Sequence, residues 1–437
     1  MESPSDDVVY YVISDLHIGG DEQLEEVEFS DELIEFLQDL EARDEPIELI
    51  INGDAFGLWE FTGVEGPEKF DILIETYPDL FEQFRQTGAV HQITLLPGNH
   101  DHELAAYEEY VDRLADYNID LLQEESITRP IGDQAIHFEH GNQRDPNNVI
   151  EDFGNPYARP LGYYYNTQVV SRAGHMSDRG RFNWLKDVQA VTPTERMPRW
   201  LISKYFYREM HPALRYAFVP FLLLFNISAL LALVAALDII GVWSFPVVWT
   251  TTFLGGLGLA GTAIYYLLAA NIVIAGLLLL IGIPIYFILQ DIKRTIERFG
   301  VFETDLTVDY ERPYVAAARD VFERNSNVAI FCYGHTHRPI IRELDGGLLV
   351  NSGTWLKRLY RREVIAGVLP PVFYPSYELC AVRIERTDEG IVVNHEAVEK
   401  PNPSTDELTR IERLLTLGRE PNAALPSRTV IPANEDQ

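Results

Sequence analysis

Nine side chains with related chemistry fall into five short blocks. These are Asp15-Leu16-His17, Gly53-Asp54, Gly98-Asn99-His100-Asp101, His140-Gly141 and Gly334-His335-Thr336-His337. Asp15, His17, Asp54, Asn99, His140, His335 and His337 supply oxygen and nitrogen donors without a thiolate. Such a set suits Mn²⁺, Fe or Zn²⁺ rather than a soft metal. Two ions held roughly 3.5–4 Å apart can stabilise both the attacking and the leaving oxygen of a phosphoryl group. One carboxylate must bridge them, and Asp54, alone on a tight glycine turn, fits that position. Asp15 and His17 are two apart on an extended segment, so both can point to one side. His335 and His337 repeat that spacing, and Gly334 lets the backbone come close to the metals. His100 can carry a proton near neutral pH, and Asp101 can orient its imidazole.

Each block follows an apolar run that reads as a strand: 8–13, 48–51, 90–96, 134–138 and 328–333. A sixth run, 348–350, leads to Asn351-Ser352-Gly353-Thr354. The carboxyl ends of strands are where open α/β sheets place their ligands. Pro97 and Gly98 stop the third strand just ahead of its donors. Leu33, Phe36, Leu37 and Leu40 predict an amphipathic helix over 30–40, with Asp31 and Glu32 in the first turn where the helix dipole favours them. No internal repeat is present.

Nearly two hundred residues of different character separate the fourth strand from the fifth. The segment 142–212 is rich in Arg, Tyr and Trp, with Tyr163-Tyr164-Tyr165 and Met197-Pro198-Arg199-Trp200 as landmarks. The segment 213–289 is apolar, with Asp238, read as a membrane–water boundary, its only acid. It is far too long for a core helix, and a bilayer span takes about 20 apolar residues. Spans are expected at 218–237 and at 263–289, the second containing Asn271 and Pro284. The stretch 241–261, broken by Pro246 and five glycines, reads as a hairpin loop or re-entrant segment. Donors lie on both sides of this region and must meet, so the chain crosses an even number of times. The length allows two crossings, a transmembrane hairpin. Arg196, Arg199, Lys204, Arg208 and Arg215 precede it, and Lys293, Arg294 and Arg298 follow. Positive charge on both flanks puts them, and the site, on the cytoplasmic side. The expected divisions are 1–141 and 291–400 for the two parts of a catalytic domain, 142–212 for a cap, 213–290 for the spans and 401–437 for a C-terminal helix and tail. Ser404-Thr405-Asp406-Glu407 reads as a capping box ahead of Leu408, Ile411, Leu414 and Leu415, with a loose tail from Glu420.

The formal net charge of −32 excludes nucleic acid as a partner, because a phosphate backbone needs a basic surface. Six Lys against 29 Arg, with this acid excess, point to a high-salt cytoplasm, an ordinary acidic protein being the alternative. Two cysteines make no disulfide framework and suit a reducing compartment. Residues 1–7 have no apolar core, so no signal peptide is expected. His91, His137, His175, His211 and His395 read as surface or core residues, and so does His102 over a place in the site. Cys332 reads as a small core residue. Arg144, Arg159 and Arg338 could hold substrate phosphate, with solvated or salt-bridged roles as the alternative.

Asp15-x-His17, Gly53-Asp54, Gly98-Asn99-His100-Asp101, His140 and Gly334-His335-x-His337, in that order, resemble the calcineurin-like metallophosphoesterase superfamily. The resemblance covers roughly 8–141 and 328–398. It implies an α/β fold, a four-layer α/β/β/α sandwich, and two divalent metal ions, Mn²⁺ ahead of Fe or Zn²⁺. Asp15, His17, Asp54 and His337 would hold one ion; Asp54, Asn99, His140 and His335 the other. His100 would protonate the leaving group, Asp101 would orient it, and a metal-bridging hydroxide would attack phosphorus. Within the superfamily, the run from Gly53 to Trp59 and Gly334-His335-Thr336-His337-Arg338-Pro339 are similar to the branch that hydrolyses UDP-2,3-diacylglucosamine. The chain departs from that branch at His100, where Arg stands there, at Asn142, commonly Asp, and in its spans. It also has Gly57 where a second Asp is common. The expectation is a membrane-anchored hydrolase of a lipid- or nucleotide-linked phosphoester or pyrophosphate. An enzyme on the membrane acting on a soluble nucleotide or phosphoprotein comes second, and a non-enzymatic scaffold third. Tyr163, Tyr164, Tyr165, Trp184, Trp200, Tyr205, Phe206 and Tyr207 are types that favour a membrane interface, and Arg196, Arg199 and Arg208 could meet anionic headgroups. Both point to an amphiphilic substrate, residues that only seat the anchor being the alternative.

Overall fold

The computed structural model describes residues 8–19, 27–61, 63–170, 187, 190–191, 196–215, 247–298, 311–364, 369–401, 403, 407–418 and 425–432. Apolar runs bounded by glycine and proline become strands, and those in the middle of the sheets are buried on both faces, as expected of sheets covered on both sides. They are β1 (Val9–Ile13), β2 (Ile47–Asn52), β3 (Gln92–Leu96), β4 (Asp120–Leu121), β5 (Ser126–Ile131), β6 (Gln134–Glu139) and β7 (Val328–Tyr333). After them come β8 (Ile340–Leu344), β9 (Gly347–Asn351), β10 (Arg358–Val364), β11 (Leu369–Ser376), β12 (Cys380–Thr387), β13 (Gly390–Ala397) and β14 (Thr429–Pro432). A first sheet runs β14-β13-β12-β1-β2-β3-β4, a second β5-β6-β7-β9-β8, and β10–β11 form a separate ribbon.

Strand alternation sorts the core into layers. From β1, Tyr10 and Val12 point between the sheets, where they meet Ile136, Phe138, Ile330 and Cys332 of the second sheet. Val9, Tyr11 and Ile13 point the other way, onto helices Ser30–Glu41, Glu68–Thr76 and Pro78–Val90. Across the molecule, Phe331, Tyr333 and Leu349 pack under Tyr314, Ala318 and Phe322 of helix Arg312–Arg324. The order is helix, sheet, sheet, helix. Each fully buried side chain such as Phe138 contributes about 1.5–3 kcal/mol by leaving water.

β6 and β7 lie side by side and parallel, so the whole insertion leaves and re-enters between neighbouring strands. Its helix Met197–Lys204 seats Met197 and Trp200 against Leu359 and Phe373 of the ribbon. Phe206 and Tyr207 join Val372, Tyr374 and Leu408 in a further core. Residues 197–207 therefore pack with two later parts of the chain, the ribbon and the segment around Leu408. Buried Trp200, Phe206 and Tyr207 serve that core, whereas Tyr164, Tyr165 and Tyr205 are exposed.

Other expectations shift. Val90 ends a helix rather than opening β3. The C-terminal helix is Arg410–Leu415, and its capping box is Thr409 with Glu412. Thr409 Oγ1 accepts from the Glu412 amide, while 404–406 of the expected box lie outside the described residues. The tail is not wholly loose, since β14 completes the first sheet along β13. The stretch read as a loop at 241–261 contains helix Val247–Gly256, and a turn at Leu257 joins it to helix Gly258–Arg298. Among the described residues one helix is long and apolar enough to cross a membrane, over Gly258–Ile288. The other expected span, 218–237, together with Asp238, lies outside the described residues.

Candidate active site

β1, β2, β3, β6 and β7 all run out at one end of the two sheets, and each releases its donors there. The emerging loops are tied together by backbone bonds, with His17 N–H donating to Asp54 O at 2.9 Å and Gly334 N–H to His140 O at 2.9 Å. The backbone is strained here. Of the seven described non-glycine residues with positive φ, five are Asp15, His17, Asp54, His335 and His337. Each costs about 1–2 kcal/mol for an L-residue, and such strain gathers at functional sites. Two glycines make room. A Cβ on Gly98 would stand 2.2 Å from Asp54 Oδ1, and one on Gly334 would stand 2.5 Å from Ser14 Oγ.

Three groups of side chains among the described residues could hold a metal ion: Asp15, His17 and His337; His17, Asp54 and His100; and Asp54, His140 and His335. Asp54 thus belongs to a group on either side. Its Oδ2 is 3.2 Å from His140 Nε2 and 3.6 Å from His17 Nε2, while Asp15 Oδ1 is 3.1 Å from His337 Nε2. Asp15 Oδ1, His17 Nε2, Asn99 Oδ1 and His140 Nε2 are buried and make no hydrogen bond. Leaving such atoms unsatisfied costs about 1–3 kcal/mol each. Four orphaned ligand atoms of oxygen and nitrogen type, converging with the Asp54 carboxylate, fit a pair of divalent cations.

Outer partners set the rings. His140 Nδ1 donates to Asn52 O at 2.9 Å, which leaves Nε2 free to face Asp54. His335 Nε2 is 3.1 Å from Asp145 Oδ2. Burial would raise Asp145, but the bond to His335, the charge of that ring and the bonds from Asn147 and Asn148 together outweigh that and lower it to about 2. Burial lowers His17 to about 3, aided by the nearby His100, which keeps it neutral as a ligand must be. His140 goes the other way. Burial opposes its charge, yet Asp54 and Asp15 raise it to about 10.

His100 and Asp101 are brought to the site but not to each other as expected. Asp101 Oδ1 accepts from Gly98 N–H at 2.6 Å and Oδ2 from Phe56 N–H at 3.2 Å, so it braces the turn. The carboxylate beside the His100 ring is Glu60, Oε1 to Nδ1 at 3.1 Å. Trp59 lies against the same ring, with centroids 4.3 Å apart. Burial opposes charge on His100, and Glu60 together with Asp54 raises the imidazole above its usual value. Glu60, Asp145 and Asn166 were not legible as site residues. For Glu60 one signal existed: it stands three residues after Gly57, where the second acid of the Gly-Asp block was missing.

The remaining candidates are accounted for otherwise. Arg144 donates to Glu139 at 2.9 and 2.8 Å, and Arg159 lies over the Tyr163 ring. His102 Nε2 accepts from Gly154 N–H, while His91 and His395 meet the carbonyls of Leu40 and Asn351.

Solved structures similar to the chain include a predicted phosphoesterase from Streptococcus pneumoniae TIGR4, 11% identical, covering 90% of this chain and 91% of that one, with a TM-score of 0.27. Another is a phosphopantetheinyl hydrolase from Mycobacterium tuberculosis, 11% identical, covering 80% and 91%, with a TM-score of 0.25. At these scores neither carries an argument. No curated protein matches the sequence. The family model described as calcineurin-like phosphoesterase matches residues 9–212, the stretch that holds Asp15, His17, Asp54, Asn99, His100 and His140. That stretch, a little under half of the chain, is what is similar to the calcineurin-like phosphoesterases.

Proposed function

We propose that the protein is a two-metal phosphoesterase, anchored at a membrane on its cytoplasmic side, that hydrolyses a phosphoester or pyrophosphate of a lipid- or nucleotide-linked substrate. The observation that carries the reaction is Asp54, shared by donor groups on either side, with His100 on the same cleft. Asp15, His17, Asp54 and His337 would hold one cation, and Asp54, Asn99, His140 and His335 the other. When bound, the cations neutralise phosphoryl oxygens and supply an activated water. His100 has its Nδ1 against Glu60, whose carboxylate can only accept, so Nδ1 carries a proton and Nε2 is the nitrogen that serves the substrate. From Nε2 a proton passes to the leaving oxygen as its bond to phosphorus breaks. Trp59 and Glu60 exclude water from the far side of the ring.

What supports the membrane reading is helix Gly258–Arg298 with its exposed apolar side chains. What supports an amphiphilic substrate is the exposed set Leu161, Tyr164, Tyr165, Ile202 and Tyr205 on the cap. Basic flanking residues support the cytoplasmic side, although Lys204 is paired with Asp187 and Arg208 lies by Glu412. Burial of Trp200, Phe206 and Tyr207 favours the second reading, a cap that seats the anchor while the substrate is soluble. Kinetics of the Mn²⁺-loaded protein on phosphoesters matched except for acyl or isoprenoid length decide between them. A rise of kcat/KM with chain length is expected. Equal values in detergent and in lipid would leave the soluble-substrate enzyme.

A further inference from the structure

The insertion after His140 sends one polar side chain back to the His100 ring. Asn166 follows the short helix Leu161–Tyr165, and its Nδ2 donates to Glu60 Oε1 at 2.6 Å, with His100 Nδ1 3.4 Å away. Only the NH₂ end of the amide can sit against a carboxylate, so this orientation is set by chemistry. Glu60 is 3% exposed, and its Oε2 has no hydrogen bond. Among the described residues, every hydrogen bond to this buried carboxylate is therefore made at Oε1, by one imidazole and one amide. Three residues earlier, Tyr163 meets the edge of Trp59 at 5.6 Å, and Trp59 in turn lies on His100. The same turn of the insertion thus touches both supports of the ring.

We infer that Asn166 is a positioning residue, which holds Glu60 and through it His100, so that the leaving-group acid is aligned only when the insertion is seated. This rests on the reading of His100 as that acid. Without the amide, Glu60 would keep one partner for a buried charge and would turn toward water, taking the ring off line. The insertion would then govern not only what reaches the cleft but whether protonation there is efficient.

The test compares Asn166→Ala, Asn166→Gln and His100→Asn on two phosphoesters, one with a nitrophenol and one with an aliphatic alcohol as leaving group. Nitrophenolate leaves without a proton. Asn166→Ala is expected to lower kcat on the aliphatic ester about 10-fold, the low end for loss of an outer partner, with KM and the nitrophenyl rate nearly unchanged. Asn166→Gln, which keeps a donor, is expected to restore part of the loss. In a His100→Asn background, Asn166→Ala should cost nothing further. Equal loss on both esters, no loss, or a full additional loss in that background would overturn the inference. If His100→Asn itself spares the aliphatic ester, the acid role fails first, a separate result. Metal content and urea unfolding of each variant show whether it has kept its fold.

Discussion

The Asp54 carboxylate and the His140 imidazole meet at 3.2 Å, Oδ2 to Nε2, across the seam between the two sheets. Asp54 follows β2 in the first sheet, and His140 follows β6 in the second. The candidate metal centre is thus where the sheets are sewn together. Asp54→Ala is expected to lose both ions, because it takes a donor from each group. His337→Ala is expected to lose only one. Metal analysis after dialysis checks this, and retention of a full pair by Asp54→Ala would break the assignment.

His100 and Asp101 are neighbours with different expected phenotypes. His100→Asn is expected to keep both metals and to lose about 10²–10⁴-fold on poor leaving groups, the usual share of a general acid. Asp101→Ala takes the acceptor from two buried amides, Gly98 and Phe56, and is expected to cost about 1–3 kcal/mol of stability for each amide left unsatisfied. Its remaining activity should fall alike on good and poor leaving groups. Urea unfolding beside two-substrate kinetics separates the two.

His102 predicts a pH dependence. Burial lowers it from 6.5 to about 4. Between those values the unfolded chain binds the proton and the folded one does not, so its contribution is present above pH 6.5 and lost as pH falls through 4. Unfolding of the chelator-treated protein should lose on the order of 2–3 kcal/mol over that range. His102→Gln should flatten the slope. An unchanged slope would show that His102 titrates normally.

Salt is a fourth handle. The four Lys whose side chains are described all meet carboxylates: Lys69 with Glu103 at 2.6 Å, Lys400 with Glu32 at 2.7 Å, Lys204 with Asp187 at 3.4 Å, and Lys357 with Glu28, Asp187 and Glu407. They are used inside, while a net charge of −32 repels itself outside. Thermal unfolding is expected to move upward from low salt to molar KCl as that repulsion is screened. A Tm that falls or stays level would count against the high-salt reading.

Much of this was readable in advance because strand ends and ligand blocks obey local rules. Asp15, Asp54 and His140 each follow an unbroken apolar run, and a glycine turn needs no tertiary context. Glu60 was hidden since nothing local tells a buried carboxylate from a solvated one in Leu58-Trp59-Glu60. Asp101 misled for the same reason. Adjacency to His100 suggested contact, but the turn points its carboxylate back at two amides. β14 was missed because its short apolar run has meaning only beside β13. The role of Trp200 follows from the ribbon β10–β11, more than 150 residues later.

The pairing of β6 directly with β7 also fixes an order of events on the ribosome. When His140 emerges, β6 has one neighbour, and β1 lacks β12. Phe138 and Val12 then face each other with no finished layer around them. Asp15 waits 320 residues for the His335 amide that its Oδ2 will accept. The nascent chain must carry an open, sticky half-domain through translation of the entire insertion, a long window for holding chaperones. The donor set is complete only when His335 and His337, in the final third of the polypeptide, arrive.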